Sequence, residues 1–347
     1  MKSIVVNLKN LNHNIDVLKS HIKHNVLFCA VVKANAYGHG FEICKLIENK
    51  VDYFAVATAE EAIRLRKLKI RKRILVLGVT TKDEKRKLVS KGVDITISSL
   101  KELYQVVKFP ARIHIKINTG MNRLGFSDKT EIYKCLGLIR SKKINLIGAF
   151  SHFYNPTSYK DCKLQDKKFK ELIKFFPKKT IFHISSTDAI FCSKEFNYSM
   201  VRCGIGMYGY SSYKNKNKVL LPVMKVYGDV VQTNTLKKDD GVGYSHYFIS
   251  SRKEKCYVIN CGYFDGFSRA LANQKIRASN EILHVCGNVC MDMMFIKSKE
   301  DLEDKRQVCL LENASELAKI CNTIPYEILT NIKHERFNYI VKKDLEN

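Results

Sequence analysis

Short apolar runs alternate with amphipathic stretches between residues 26 and 209, and this alternation limits the fold more than any other feature. Candidate strands occupy residues 26–32, 53–57, 74–78, 93–97, 112–117, 146–151, 180–184 and 201–207. Segments between them, such as residues 59–68, 128–139 and 161–176, have helical apolar spacing. Eight β-α units predict an α/β fold, an eight-stranded (β/α)8 TIM-type barrel whose site opens at the carboxyl ends of the strands. Periodicity alone leaves an open, doubly wound sheet as the alternative.

The pattern changes near residue 214. Residues 214–218 are a connector rich in lysine and asparagine, and the segments after it alternate like β-strands without long helices. Candidate strands are residues 223–231, 255–260, 282–286 and 293–296, with one helix at residues 314–321. We therefore predict a barrel domain over residues 1–218 and a smaller, mainly β carboxyl-terminal domain over residues 219–347.

Length and composition describe a globular chain. Its 347 residues, 45% of them hydrophobic, are enough to bury a large core in two domains. The short stretch of residues 1–8 is followed at once by Lys9 and then by His13, which leaves no long apolar segment there. We therefore expect no signal peptide and no membrane span, and a cytoplasmic location. The twelve cysteines include no CxxC spacing, which predicts reduced core residues and neither a disulfide framework nor a metal site.

The strong positive charge raises the question of nucleic acid. Sixty basic residues against 34 acidic ones give a formal charge of +26. The lysines are scattered along helical faces, without the interleaved aromatic residues of RNA-binding sheets. We expect a solvated surface and no nucleic-acid partner, and keep a basic nucleic-acid-binding protein as the alternative from another functional class.

One lysine interrupts the first apolar run. Residues 26–32 are nearly all apolar, then Lys33 follows, and Gly38 and Gly40 allow a tight turn. Lys33 would lie at the carboxyl end of a buried parallel strand, where desolvation favours a neutral amine that can attack a carbonyl group. The structural alternative is a lysine that extends to solvent from the strand end.

Other barrel strands also end in polar residues or glycine. These strand ends contribute Lys116 and Arg123 after the fifth strand, His152 after the sixth, Ser186 and Thr187 after the seventh, and Arg202, Gly204 and Ile205 on the eighth. Each alone has a structural explanation, such as a core histidine, a surface cation or a turn. Together they predict a pocket that holds an anion, an aromatic ring and a reactive lysine.

Four motifs carry a resemblance to a known family. They are Val-Val-Lys33-Ala-Asn-Ala-Tyr37-Gly-His-Gly, Asn118-Thr-Gly-Met-Asn-Arg-Leu-Gly, Gly262-Tyr-Phe-Asp-Gly and Cys290-Met-Asp. In these motifs and their order the chain resembles alanine racemase, a fold-type III pyridoxal phosphate enzyme with a barrel and a carboxyl-terminal β domain. The resemblance extends from Leu8 to about Tyr339 and implies interconversion of L- and D-alanine, supplying D-alanine for peptidoglycan.

The resemblance implies roles in binding pyridoxal 5'-phosphate in the barrel domain. Lys33 would bond covalently to the cofactor aldehyde, and Tyr37 would contact its phosphate. Thr187, Gly204 and Ile205 would line the rest of the phosphate site, with Ser186 competing for the hydroxyl role. His152 would lie against the ring, and Arg202 would face the ring nitrogen, which it would keep unprotonated because guanidinium retains its own proton.

The resemblance also implies two proton carriers and a shared site. Lys33 would serve one face of the substrate carbon, and Tyr244 of a partner subunit would serve the other, its phenolate favoured by His152 and Arg202. A homodimer follows from this. Arg123 and the backbone amide of Met291 would bind the substrate carboxylate, and Lys116 matches a lysine that is carbamylated in many relatives.

Several positions depart from the family pattern. Thr187 replaces the usual serine, Asn118 an aspartate and Asn288 an arginine, and the segment ending at Tyr339 matches only loosely.

Two alternative functions would use the same cofactor. A pyridoxal phosphate homeostasis protein would leave Tyr244 and Met291 unexplained, and an amino acid decarboxylase of this barrel type would have a longer chain and another glycine motif.

Overall fold

The computed structural model describes residues 1–213, 219–278, 281–302 and 307–343. The described residues form two compact units. The barrel unit comprises Asn12–Ala36 and Phe41–Leu220, and the carboxyl-terminal unit comprises Met1–Leu11, Tyr37–Gly40 and Leu221–Asn347. The predicted connector at residues 214–218 lies outside the described residues, and the predicted division between residues 218 and 219 stays a prediction.

The barrel unit contains one sheet of eight parallel strands. From the first to the eighth in chain order they are Leu27–Val31, Tyr53–Val56, Arg73–Val76, Asp94–Ile97, Arg112–Lys116, Asn145–Phe150, Ile181–His183 and Met200–Cys203. Each strand pairs with the next as far as the seventh, and the first also pairs with the eighth. Each predicted barrel strand overlaps an observed one, and the predicted fold class is confirmed.

Two backbone hydrogen bonds join the seventh and eighth strands and complete the ring. The N–H of Ser199 donates to the carbonyl oxygen of Phe182 at 2.9 Å, and the N–H of Arg202 donates to that of Ser185 at 3.0 Å. All eight carboxyl ends therefore lie at one rim, which is where (β/α)8 barrels place their chemistry.

Helices of mixed length connect the strands. In chain order they are Leu8–Ser20, Glu42–Leu46, Ala59–Lys67, Lys82–Ser90, Leu100–Tyr104, Lys129–Ser141, Tyr159–Ile173 and Thr187–Cys192, with short 3₁₀ turns at Glu48–Lys50, Lys194–Phe196 and Ile205–Tyr208. Two helices begin with a capping box, formed by Thr58 with Glu61 and by Thr81 with Glu84. Each box satisfies backbone N–H groups that would otherwise lack a partner at a helix start.

The carboxyl-terminal unit is mainly β. Its main sheet contains Ser3–Asn7, Met224–Leu236, Glu254–Ile259, Lys275–Ala278, Glu281–Val285, Met294–Lys297, Gln307–Leu311 and Asn338–Lys342, and a small hairpin joins Gly241–Val242 to Phe248–Ile249. Its helices are Ala314–Ile320 and Pro325–Asn331, with 3₁₀ turns at Tyr244–His246, Tyr263–Asp265, Arg269–Leu271 and His334–Arg336. Among the described residues, no helix is both long and apolar enough to cross a membrane.

Candidate active site

Lys33 begins a left-handed turn at the end of the first strand. The four residues from Ala34 to Tyr37 have φ between 52° and 55°, although none is glycine. Left-handed backbone costs about 1–2 kcal/mol for each such residue. The N–H of Ala34 donates to Oε1 of Glu61 at 2.6 Å, which stabilises the start of the turn. Such strain is typical of positions where function requires one particular geometry.

The Lys33 side chain is exposed at the rim of the barrel. Desolvation by the surrounding protein, followed by the positive charge of Arg123, lowers the pKa of its ammonium group, and Glu61 acts in the opposite direction. A lowered pKa increases the fraction of neutral amine at a given pH. The structure thus makes Lys33 more nucleophilic than an ordinary surface lysine.

Arg202 is a buried cation among neutral acceptors. Its Nη1 donates to Nδ1 of His183 at 2.7 Å, and its Nη2 donates to the carbonyl oxygen of Ser151 at 2.7 Å and to Nδ1 of His152 at 3.2 Å. Among the described residues, none of its hydrogen-bond acceptors is a carboxylate. Burial lowers the pKa of Arg202 to about 10, which leaves it charged at neutral pH.

His152 is held as a neutral ring. Because a guanidinium only donates, Nδ1 of His152 must accept, and the proton of the neutral ring lies on Nε2. Burial and then Arg202 hold the pKa of His152 well below its usual range. The structure therefore places a neutral imidazole beside a permanent cation. His152 thus cannot supply the positive charge that the resemblance implied for it beside the Tyr244 phenolate, and of the two residues only Arg202 is charged.

Lys116, Arg123 and His152 line one small cavity of about 10 Å³. Burial, then Arg202 and Arg123, hold the pKa of Lys116 well below its usual range. Its Nζ lies 4.3 Å from the centre of the Phe150 ring. A lowered pKa increases the fraction of neutral amine, which is the form that carbamylation requires.

Asn118 shapes the loop that carries Arg123. Its Oδ1 accepts from the N–H of Gly120 at 3.1 Å and from the N–H of Asn122 at 3.0 Å. The neutral amide thus replaces the aspartate of the family pattern without loss of these acceptor contacts. Gly125 has φ 119°, and a Cβ there would lie 2.8 Å from the carbonyl oxygen of Lys116, so the loop needs glycine where it returns to the strand.

Two turns meet at the rim after the seventh and eighth strands. The helix Thr187–Cys192 begins with Ser186 as its N-cap, and the 3₁₀ turn Ile205–Tyr208 follows Gly204. The N–H of Gly206 donates to Oγ1 of Thr187 at 3.1 Å, and a Cβ on Gly206 would lie 2.5 Å from Cγ2 of Thr187. Backbone amides at such turns suit a phosphate.

The remaining predicted residues belong to the carboxyl-terminal unit. Tyr37 is buried, and its ring centre lies 5.9 Å from that of Tyr326. The hydroxyl of Tyr339 donates to the carbonyl oxygen of His39 at 2.8 Å. Tyr244 and Met291 are exposed and line one groove of about 520 Å³. The structure therefore brings Tyr244 and Met291 together, as a common role at the substrate would require.

Some residues of this site were missed by sequence reasoning. Gln165 is 1% exposed and donates through Nε2 to Oγ1 of Thr119 at 2.9 Å and to the carbonyl oxygen of His152 at 3.0 Å. It thereby joins the loops after the fifth and sixth strands. His114 was missed too, although the alternation Arg-Ile-His-Ile-Lys within Arg112–Lys116 already indicates a polar face on that strand.

The residues present fit the predicted cofactor. Pyridoxal phosphate offers an aldehyde, a ring with a basic nitrogen and a phosphate. The site offers a lysine of lowered pKa at Lys33, a buried guanidinium at Arg202, and turns tied together through Thr187. Each part of the cofactor thus has a chemically complementary group in the chain.

Two family models together match most of the chain. The alanine racemase N-terminal domain matches residues 6–212, and the alanine racemase C-terminal domain matches residues 223–340. The chain is 33% identical over 362 residues to alanine racemase 2 of Caldanaerobacter subterraneus subsp. tengcongensis, and the match covers 95% of this chain and 92% of that protein.

Solved structures agree with the family models. Alanine racemase of Clostridium difficile superposes with a TM-score of 0.93 at 29% identity, over 99% of this chain and 96% of that one. The structure of alanine racemase from Bartonella henselae with covalently bound pyridoxal phosphate superposes with a TM-score of 0.88 at 26% identity, over 99% of both chains. The predicted enzyme class, an isomerase of the racemase type, is confirmed by these matches. The chain belongs to the alanine racemase family.

Proposed function

We propose that this chain interconverts L-alanine and D-alanine with pyridoxal 5'-phosphate, using Lys33 and Tyr244 as two proton carriers. The observation that carries the proposal is Lys33 itself, an amine of lowered pKa on a strained turn at the carboxyl end of a barrel strand. When bound, pyridoxal phosphate withdraws electrons from the substrate and makes its α-proton removable.

Lys33 holds the cofactor and then moves a proton at its Nζ. Its lowered pKa increases the fraction of neutral amine, the form that can accept a proton as a general base. The Glu61 contact fixes the backbone directly after it, which limits the positions that Nζ can reach. The strained turn thus helps to orient the amine of Lys33.

Arg202 determines the protonation state on the ring side. Its charge is held by His183, Ser151 and His152, and a guanidinium has no lone pair to accept a proton. A cofactor ring nitrogen placed against Arg202 would remain a hydrogen-bond acceptor. This limits delocalisation of the negative charge and suppresses transamination, a reaction that would otherwise compete with racemisation.

Arg123 and Met291 bind the substrate carboxylate, the first through its side chain and the second through its backbone amide. The cavity shared by Arg123 and Lys116 supports the first part of this assignment. Carbamylation of Lys116 would convert its amino group into an anion able to pair with Arg123. Thr187, Ser186, Gly204, Ile205 and Tyr37 hold the phosphate.

Tyr244 serves the opposite face of the substrate from a partner subunit. Tyr244 is 72% exposed in the single chain and lies in the same groove as Met291. An exposed tyrosine in an apolar groove is suited to completing another subunit's site. The working unit is then a homodimer. We further propose that the enzyme acts in the cytoplasm and that its D-alanine supplies peptidoglycan synthesis.

A single assay tests this proposal. Purified protein is incubated in D₂O with L-alanine, D-alanine or L-serine, and exchange at the α-carbon is followed together with optical rotation. We expect exchange and racemisation of alanine, and loss of both, with loss of the cofactor's absorbance band, in Lys33→Ala. Lys67→Ala, on an exposed position of the helix Ala59–Lys67, is the matched control.

The alternatives give other results. Cofactor bound at Lys33 without any exchange on amino acids would favour the homeostasis protein. Salt-dependent binding of duplex or single strands, with no exchange, would favour the nucleic-acid-binding protein. Full racemisation by Lys33→Ala would overturn the assignment of Lys33.

A further inference from the structure

A line of polar side chains crosses the interior of the barrel. Nη1 of Arg202 lies 2.7 Å from Nδ1 of His183, whose Nε2 lies 3.0 Å from Nδ1 of His114. Nε2 of His114 lies 3.6 Å from Oδ2 of Asp94. All four residues are buried, at 4% exposure or less. Barrel interiors are ordinarily filled by branched apolar side chains, so this line requires an explanation.

The line connects the two ends of the barrel. His183 is the last residue of the seventh strand and lies at the rim with the candidate active site. Asp94 is the first residue of the fourth strand and therefore lies at the opposite, amino-terminal end. The two imidazoles span the distance between a buried guanidinium and a buried carboxylate.

The chemistry of the donors fixes where each proton lies. A guanidinium can only donate, so Nδ1 of His183 accepts and the proton of His183 is on Nε2. This proton points at Nδ1 of His114, which must also accept. The proton of His114 is then on Nε2, which faces Oδ2 of Asp94 at 3.6 Å, beyond hydrogen-bond distance but close enough for the charge of the carboxylate to act on the ring. Both rings are neutral Nε2–H tautomers, and every donor along the line points away from Arg202.

Asp94 is anchored as the anionic end of the line. Nε of Arg112 lies 2.6 Å from its Oδ1, and the hydroxyl of Tyr53 lies 3.3 Å from its Oδ2. Burial opposes its ionisation, but His114 and Arg112 outweigh burial and lower the pKa of Asp94. The carboxylate is therefore charged at neutral pH and keeps one orientation.

The backbone and a neighbouring ring accommodate the two imidazoles. The register between the fifth and sixth strands shifts between Ile113 and His114, and His114 lies opposite Gly148. A Cβ on Gly148 would collide with the His114 ring. His183 stacks on Phe150 with 4.8 Å between ring centres and 4° between planes. Such local adjustments keep both rings in one orientation.

We infer that Asp94 and His114 are positioning residues for Arg202, which they hold through His183. A buried cation without a carboxylate among its direct partners is costly, and a polarised line of imidazoles transmits the influence of a distant carboxylate. If His114 cannot accept, the Nε2–H of His183 is left buried without a partner, and the ring can turn and release Nδ1 from the Arg202 guanidinium. Arg202 would lose its orientation towards the ring nitrogen that it faces in the proposed function.

The test compares two substitutions of similar size at one position. His114→Leu removes the acceptor for His183, whereas His114→Asn keeps an oxygen near the position of Nδ1. The protein is labelled with ¹⁵N-histidine, and the His183 signals are assigned by their loss in His183→Gln. Circular dichroism confirms that each variant is folded. Asp94→Asn, which keeps an acceptor oxygen without the charge, is compared in the same way.

We expect a hydrogen-bonded Nε2–H signal for His183 in the unsubstituted protein and in His114→Asn. In His114→Leu the proton should stay on Nε2, because Arg202 still donates to Nδ1, but its resonance should move upfield as the hydrogen bond is lost. The kinetic part rests on the proposed function: kcat should fall about tenfold or more in His114→Leu, with little change in KM, and recover in His114→Asn. Unchanged His183 signals in a folded His114→Leu would overturn the inference. Failure of the unsubstituted protein to racemise alanine would contradict the proposed function, but the NMR comparison would still test the inference about Arg202.

Discussion

The carboxylate of Glu61 accepts a hydrogen bond from the backbone N–H of Ala34, the residue after Lys33, at 2.6 Å. The same side chain accepts from the N–H of Ala57 and completes the capping box with Thr58. One carboxylate therefore links the start of a helix to the strained turn that carries the reactive lysine. The other hydrogen bonds of the Glu61 carboxylate come from Ala57 and Thr58, which directly follow the second strand. The bond from Ala34 is therefore the contact that connects Glu61 to the candidate site.

Substitution of Glu61 by alanine should affect the site as well as stability. Loss of the capping interaction should lower the free energy of unfolding by about 1 kcal/mol. The turn should also loosen, which lowers kcat/KM for alanine about tenfold to a hundredfold because Nζ of Lys33 is misplaced. Stability is measured by urea denaturation, and activity by α-carbon exchange.

Glu84 provides the matched control, because it occupies the same place in the capping box of Thr81. Glu84→Ala should show a similar loss of stability with kcat/KM unchanged. Equal kinetic losses in Glu61→Ala and Glu84→Ala would mean that Glu61 acts only through helix stability.

Strand ends were the part of the site that sequence could predict. Lys33 and His152 were singled out because each follows an apolar strand, and parallel strands bring such ends to one rim. Lys116 closes a strand of alternating polarity, and Arg202, within the eighth strand, gained its role only from the family resemblance. The same reasoning could not find the line from His183 to Asp94. Strand alternation tells which residues share a face, but it does not tell which strand faces His114 across the barrel.

Distant pairings were the other limit. Ser3–Asn7 was assigned to the barrel domain by its place in the chain, yet it pairs with Met224–Leu236 and Asn338–Lys342. Local periodicity carries no information about a partner more than two hundred residues away. The helix Pro325–Asn331 was missed because it is only two turns long, too short for a clear apolar period.

A shared site makes a prediction about mixed dimers. Lys33→Ala and Tyr244→Phe should each be inactive alone. After subunit exchange, a hybrid dimer carries one site with both Lys33 and Tyr244, so equal mixing should restore about a quarter of the activity. Exchange is verified by mass spectrometry of differently tagged subunits. Verified exchange with no recovered activity would contradict a site shared between subunits.

Gln165 should act on substrate binding through two loops. Its Nε2 holds Thr119 and the carbonyl oxygen of His152, and its Oε1 accepts from the N–H of Tyr154 at 2.9 Å. Gln165→Leu leaves buried polar groups unpaired, at about 1–3 kcal/mol for each. We expect lower stability and a raised KM for alanine, since the loop of Arg123 loses its anchor. Gln232→Leu, at an exposed strand position, should change neither quantity.

The buried imidazoles predict how stability depends on pH. Burial is the main cause that lowers the pKa of His114, and it holds those of His152 and His183 well below the usual range. In the unfolded chain a histidine titrates near pH ~6.5. Below that pH the unfolded chain binds protons that the folded protein does not bind, so the stabilising contribution is present above about pH 6.5 and is lost as the pH falls towards the lowered folded values.

Each histidine that stays neutral in the fold should lower the free energy of unfolding by about 1.4 kcal/mol in total between pH 7.5 and 5.5, because the unfolded imidazole is half protonated near pH ~6.5. Urea denaturation of the cofactor-free protein between pH 7.5 and 5.5 measures the sum, because ordinary carboxylates remain ionised there. The folded His114→Asn variant lacks one of these groups and should give a shallower slope. An unfolding free energy that stays level across this range would mean that the imidazoles take up protons in the folded protein, and the proton positions inferred for His183 and His114 would then be wrong as well.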